Sequence, residues 1–424
     1  MSHRLYLSLC LLLSSLSALS AEDKPAPVSI ESLVSQTLAA NPELQFYQAE
    51  VAVAKGGRAN AGRLANPELS LEVGRKRVAS GDAAAAGLAF SASLAQPIEW
   101  AGRLGLRKAI ANRDIALAEL GVERFRAYLA ARIRILAYSL ATQQDIAAAA
   151  DEVANRYTDL RDVMVQRDPS GIAPLLEIKT IEAATVVAQA KAGSAAVAVQ
   201  KALLEINQLM GRRADTPLVV ARPSFVFAEM PAMESLLTQA AQNHYELRIR
   251  RAELEQQGFK VELAKNERYP TFTVGPFVSQ EKAGDKETRA GLSVSVPLPF
   301  WNNGKANVDI AQARSAQAQA TLNAAQREVE KQVVEAALLF KSQRARLTGW
   351  KAEVLPSFRE AASLADRHYR LGAVPISSYV ELQDKYLEAT AAINEAQSQA
   401  LEAALTLEQL TGSTNSLVKP APKN

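Results

Sequence analysis

The chain has 424 residues and a formal charge of +3, with 48 Lys and Arg almost balanced by 45 Asp and Glu. No long basic run occurs and aromatics make up only 6%, which argues against a nucleic-acid partner. Abundant Ala, with Gly and Pro gathered at a few points, describes long helices with sharp ends. At the N-terminus, His3 and Arg4 precede the apolar run Leu5–Leu19, which ends in Ser20-Ala21. Residues 1–21 therefore read as a secretory signal peptide, too short to span a bilayer. Cys10, the one cysteine, lies inside it, so the exported chain is expected to have neither a disulfide nor a cysteine-linked lipid.

The rest of the chain is written twice. Ser32–Leu44 (SLVSQTLAANPEL) resembles Ser235–Leu247 (SLLTQAAQNHYEL), 203 residues on. Pro97 and Gly102 return 202 residues later as Pro299 and Gly304; Gly171 and Pro174 return 201 later as Gly372 and Pro375. Chance likeness between Ala-rich helices does not reproduce Pro and Gly punctuation, so the spacing indicates a duplication. The repeats span 29–211 and 232–412, with a linker at 212–231 and a C-terminal tail at 413–424, whose end KPAPKN is expected to be disordered.

Each repeat predicts the same elements in the same order. Two helices (about 30–40 and 43–65, then 232–243 and 245–268) precede a β-hairpin, at 67–97 and at 270–298. A very long helix follows, from Gly102 to about Arg167 and from Gly304 to about Leu371. At 1.5 Å per residue each is on the order of 100 Å long. A turn near 168–174 or 371–375 then reverses the chain into a returning helix. That helix carries a seam at 3-4 spacing, Tyr379, Leu382, Tyr386, Ala389, Ile393, Ala396, Ala400, Ala403, Leu407 and Leu410, which survives in the first repeat 201 residues earlier. Small residues in its middle allow close helix approach, as in a coiled coil.

The hairpin strands alternate. Leu69, Leu71 and Val73 oppose Glu68, Ser70 and Glu72; Leu292, Val294 and Val296 oppose Ser293 and Ser295. An apolar face backed by small polar residues fits strands of a transmembrane barrel. The polar stretches RKRVASGDAAAA and EKAGDKET read as loops leaving the membrane. Four strands cannot close a barrel, and open edges in hydrocarbon are prohibitive, so the barrel must be shared between chains. Two chains would give eight strands and three would give twelve; the small inner residues favour the larger number. Pro297 and Pro299 end sheet pairing, Phe300 and Trp301 suit an interfacial aromatic girdle, and Asn302–Gly304 supply the turn into the helix. Pro97 and Trp100 repeat this junction in the first copy.

With the duplicated pattern, the stretch SVPLPFWNNGK running into ANVDIAQAR, and the tip motif YRLGAVPISSYVEL, the chain resembles the outer-membrane efflux proteins, the TolC-like ducts, over about 30–412. Within them VPLPFWNNGKANVDIAQAR looks most like the heavy-metal (cobalt–zinc–cadmium) branch. The resemblance implies a mainly α fold with a small β part: a homotrimer with a coiled-coil periplasmic barrel and a shared 12-stranded outer-membrane β-barrel, four strands per chain. It implies a passive duct, not an enzyme, in the outer membrane of a Gram-negative bacterium, with outer-membrane lipid around it. Its partners would be a periplasmic adaptor and an inner-membrane RND-type pump, and its substrates metal cations, with drug efflux or type I secretion as alternatives. Tyr369 matches a tyrosine that helps hold the periplasmic end shut. Glu381 matches one acidic position of the entrance; Ser378 stands at the other, with Asp384 one turn beyond Glu381. The turns carrying Arg167, Gly171 and Pro174, and Arg370, Gly372 and Pro375, would dock the adaptor.

Other chemistry is thin. His244 and His368 have no Cys or His partner at ligand spacing, so no metal site is expected. No nucleophile, phosphate-loop or HExxH motif appears, so no cofactor is expected. A periplasmic adaptor would need one helical hairpin inserted in a β-rich domain, which the tandem duplication opposes. A periplasmic metal-binding protein is opposed by the missing ligands.

Overall fold

The first repeat folds as α1 (Ile30–Ala40), α2 (Pro42–Ala61), β1 (Glu68–Ser80), β2 (Ala83–Ile98), α3 (Arg103–Gln166) and α4 (Ile172–Leu209). The linker carries β3 (Phe225–Phe227); the second repeat follows as α5 (Met233–Asn243), α6 (Tyr245–Glu267), β4 (Phe272–Ala283), β5 (Asp285–Ser295), α7 (Lys305–Gly349), α8 (Val354–Arg370) and α9 (Ile376–Thr411), and the tail carries β6 (Val418–Pro420). The computed structural model describes residues 27–80, 83–166, 172–221, 225–350, 353–412 and 416–420. The expected signal peptide, Arg167, Gly171 and the residues between these two lie outside the described residues. No helix among the described residues is long and apolar enough to cross a membrane.

The chain divides into two units. One holds α1, α3 from Ile133 onward, α4, α8 and α9 up to Asn394. Its core joins Val153, Tyr157, Ile181, Ala188, Tyr379 and Tyr386. The seam predicted from 3-4 spacing forms this packing: Ile181 and Tyr379 are fully buried, as are Thr185 and Ala188 to within a few per cent. Thr185 turns its hydroxyl back onto the Ile181 carbonyl at 2.7 Å, so a polar residue enters the seam without an unmet hydrogen bond.

The other unit holds α2, the sheet, the first part of α3, α5–α7 and the end of α9. Its core is built on Leu236, Leu247, Val333, Phe340, Ala404 and Leu407. The four long strands form one antiparallel sheet in the order β1-β2-β4-β5, leaving β1 and β5 as edges. Register sets the faces: Leu71 opposes Ala92, Val73 opposes Phe90, and Val274 opposes Val294. That apolar face is uncovered, with Val73 82% and Leu292 75% exposed. Glu72, Ser91, Ser279 and Arg289 share the opposite face, where the Ser91 hydroxyl donates to Glu72 at 3.0 Å.

Three features differ from the sequence reading. The stretches taken as polar loops continue the strands, because antiparallel pairing runs on to Ser80↔Ala83 in one hairpin and to Ala283↔Asp285 in the other. Lys76 is satisfied within the sheet by Glu281 at 2.7 Å, so a charged residue does not end the ladder. The long helix of the second repeat is two helices, with α7 ending at Gly349 and α8 starting at Val354. Pro356 explains the restart: proline lacks the N–H a helix interior needs and is accommodated only in the first turn. Finally, the tail is not free. Val418–Pro420 pairs with Phe225–Phe227 of the linker, and the Glu408 carboxylate accepts the Leu417 N–H at 2.6 Å.

Candidate functional site

Two places carry the sequence-predicted site residues, one in each unit. The first is where strands become helices. Gly102 and Gly304 both take left-handed backbone, φ 88° and 72°, a conformation that costs an L-residue roughly 1–2 kcal/mol. Before Gly304 two asparagines cap the helix start: Asn302 Oδ1 accepts the Gly304 N–H at 3.0 Å and Asn303 Oδ1 the Lys305 N–H at 3.1 Å. Pro297 and Pro299 follow the end of β5 at Ser295. Pro97 instead sits inside β2, opposite Thr273, one residue before that strand ends. Phe300 and Trp301 meet edge to face at 6.2 Å, and Trp301 is 96% exposed. Trp100 stacks on Tyr269 at 5.0 Å.

Arg103, which the sequence reading passed over, is the hub of this junction. Its buried guanidinium donates to Asn266 Oδ1 (3.0 Å), Thr271 Oγ1 (2.7 Å), and the carbonyls of Asn266 (3.1 Å) and Tyr269 (2.7 Å). One rigid fork thus ties the start of α3 to the end of α6 and the approach to β4, which the point charge of lysine cannot do.

The second place is the turn between α8 and α9. The Gly372 N–H donates to the Tyr369 carbonyl and the Ala373 N–H to the His368 carbonyl, both at 2.9 Å, with Gly372 at φ 75°. This is a Schellman ending, and it satisfies carbonyls the helix would leave bare. Pro375 then precedes α9, its carbonyl accepting the Tyr379 N–H at 3.3 Å. Pro174 falls in the first turn of α4, where proline is tolerated. Arg370 is held by Asp366 at 3.1 Å, and that hydrogen bond raises its pKa further.

Tyr369 lies in a stack of three tyrosines. Its ring is parallel to Tyr379 at 5.4 Å, and Tyr379 meets Tyr157 edge-on at 5.7 Å. Its hydroxyl donates to Glu177 of α4 at 3.2 Å, while the Tyr157 hydroxyl donates to the Val380 carbonyl at 3.3 Å. Burial pushes the phenols of Tyr157 and Tyr379 well above their ordinary range, Asp384 adding to the first and Asp366 to the second. Below the stack Gln383, fully buried, donates to the Ala362 carbonyl at 2.7 Å and accepts from Arg156 at 3.1 Å. Asp384 is paired with Lys191 at 3.4 Å. Glu381 is exposed, one turn before Lys385, which pairs with Glu388 at 2.8 Å. The structure therefore brings Tyr369 together with α4 and α9; of the two acids one turn apart on α9, Asp384 is ion-paired with Lys191, while Glu381 is exposed and acts on Lys385 through space. Among the described residues no group of three His, Cys, Asp or Glu could hold a metal.

Solved structures share this fold across nearly the whole chain. A membrane protein from Pseudomonas aeruginosa matches with TM-score 0.74 and 17% identity, covering 90% of this chain and 93% of that one. The Campylobacter jejuni CmeC outer membrane channel matches with TM-score 0.74 and 14% identity over 90% and 85%. The fold is TolC-like. The Neisseria gonorrhoeae MtrE outer membrane channel, in its open state, shares that TolC-like fold with TM-score 0.71 and 16% identity, covering 90% and 88%. In sequence, residues 236–413 match the family model described as outer membrane efflux protein, and this match falls on the second repeat. No curated protein matches the chain in sequence.

Proposed function

We propose that the chain is one subunit of a homotrimeric outer-membrane duct that passively exports substrates delivered by a periplasmic adaptor and an inner-membrane pump. One observation carries the reading: a four-stranded sheet with two open edges, β1 and β5, and a bare apolar face. Neither is tolerable in hydrocarbon unless β5 of one chain pairs with β1 of the next until the sheet closes. Three chains supply twelve strands, and the small residues of the other face leave room for a lumen. CmeC and MtrE are outer membrane channels, which supports the same location. Detergent-resistant trimers in the outer-membrane fraction are expected; a soluble periplasmic monomer would refute the reading.

The α8–α9 turn is its gate. Tyr369, tied to Glu177 and stacked on Tyr379, holds the returning helices together, and Glu381 offers an exposed carboxylate for cations at the entrance. Asp384, already paired with Lys191, contributes less. The turn surfaces around Arg370, Gly372 and Pro375, with Arg167, Gly171 and Pro174 of the first repeat, dock the adaptor. Metal cations are the substrates; a deletion strain is expected to gain sensitivity to cobalt, zinc or cadmium, and sensitivity to drugs alone would point to drug export instead.

A further inference from the structure

The two faces of the sheet treat their charges differently. On the face shared with Glu72 and Ser91, Lys76 is paired with Glu281 at 2.7 Å and Glu287 at 3.4 Å, and Glu287 also meets Arg289 at 3.4 Å. On the opposite, apolar face the register places Arg75 and Arg77 of β1, Lys282 of β4 and Lys286 of β5. All four are exposed, and none forms an ion pair among the described residues. Lys282 and Lys286 are direct cross-strand partners, an arrangement of like charges that is unfavourable unless an anion lies between them.

Their height is also specific. Arg75 lies level with Leu88, and all four lie beyond Val73 and Val278, toward the hairpin ends. Lys286 is nine residues from the end of β5 at Ser295, which leads into Phe300 and Trp301. At about 3.4 Å per residue and a tilt near 40°, that is roughly 23 Å, close to the apolar height of about 25 Å expected of an outer-membrane barrel. Cations placed there meet the headgroup layer of the leaflet away from the helices.

We propose that Arg75, Arg77, Lys282 and Lys286 form a lipid-facing binding site for phosphate-bearing headgroups of the outward leaflet. Arg and Lys supply several N–H donors to phosphate oxygens, and a neighbouring anion removes the repulsion between Lys282 and Lys286. The inference rests on the duct reading, which puts the apolar face against lipid. Three chains would give three such sites around the barrel, fixing the depth at which it sits.

The test uses the full-length purified trimer and lipid A, a glycolipid with two phosphates, as probe. Binding to the unaltered protein is expected to weaken as phosphates are removed from the probe and as salt is raised. Changing Arg75, Arg77, Lys282 and Lys286 to Gln should weaken it about fivefold per charge removed, while Lys76→Gln, on the other face, leaves it unchanged. Equal binding of dephosphorylated lipid A by the unaltered protein overturns the site even if the fourfold variant fails to fold, as does unchanged binding by that variant. Insertion into phosphatidylcholine bilayers is measured in parallel: insertion without phosphate-dependent binding refutes the site alone, and failure of the unaltered protein to insert refutes the duct reading and the site with it.

Discussion

The duplication provides an internal control for helix capping. Asn41 starts α2 with φ −63° and ψ 122°, and its side chain accepts the Leu44 N–H at 3.1 Å. The corresponding residue of the second repeat, His244, starts α6 with nearly the same backbone, φ −58° and ψ 125°, but makes no side-chain cap. Its Nδ1 is buried without a hydrogen-bond partner among the described residues. Replacing His244 with Asn should let the new amide accept the Leu247 N–H, as Asn41 does for Leu44. Such a cap contributes about 1 kcal/mol, within a range of roughly 0.5–2. The gain should grow in acid. Burial lowers the His244 pKa, against an opposing effect of Glu246, so the unfolded chain binds the proton more readily than the folded one. Stability is then lost as pH falls from the ordinary value of about 6.5 toward the lower folded value, and asparagine has no such loss. Hydrogen-exchange protection in the first turn of α6 should rise about fivefold at pH 7.5 and by more at pH 5.5. Unchanged protection at pH 7.5 would refute the capping argument, and a gain independent of pH would refute the burial argument.

Tyr369→Ala should raise single-channel conductance and sensitivity to large antibiotics; Tyr369→Phe, which keeps the stack but loses the Glu177 hydrogen bond, should have a smaller effect, and equal effects would place the closure in the bond alone. Glu381→Gln should weaken block by multivalent cations in planar bilayers, whereas Asp384→Asn, at a position already neutralised by Lys191, should change it little. Arg103→Lys should lower the thermal stability of the protein, because a fork that meets four acceptors becomes a single ammonium; a loss on the order of 2–3 kcal/mol is expected, and an unaltered melting profile would deny Arg103 its role.

The legible parts of the sequence were those with a steric rule behind them. Gly102 and Gly304 announced the turns into helices and Gly372 the chain reversal, because few other residues tolerate left-handed backbone, and all three adopt it. The 3-4 seam of α9 and the period-2 strands were visible because burial and register repeat. Pro356 offered the same kind of signal for the break between α7 and α8, but the long Ala-rich pattern around it hid the interruption. Arg103 and Glu177 were not legible. Each is one charged residue among many on a helix, and only the fold brings Arg103 to Asn266 and Glu177 to Tyr369. Tyr379 was seen as a seam residue, but its stacking on Tyr369 depends on a turn geometry that sequence spacing does not specify.

The break between α7 and α8 makes the two repeats unlike. In the first repeat, α3 carries one hydrogen-bonded ladder for 64 residues, from the junction glycine to the turn. In the second repeat the ladder is cut at Trp350, whose N–H closes α7 on Arg346, and a separate 17-residue helix carries Tyr369. Helix α8 therefore has its own start and its own end, with Tyr369 one residue before its last. The duplicated chain thus carries one continuous ladder in its first half and an interrupted one in its second, with Tyr369 in the last turn of the short helix.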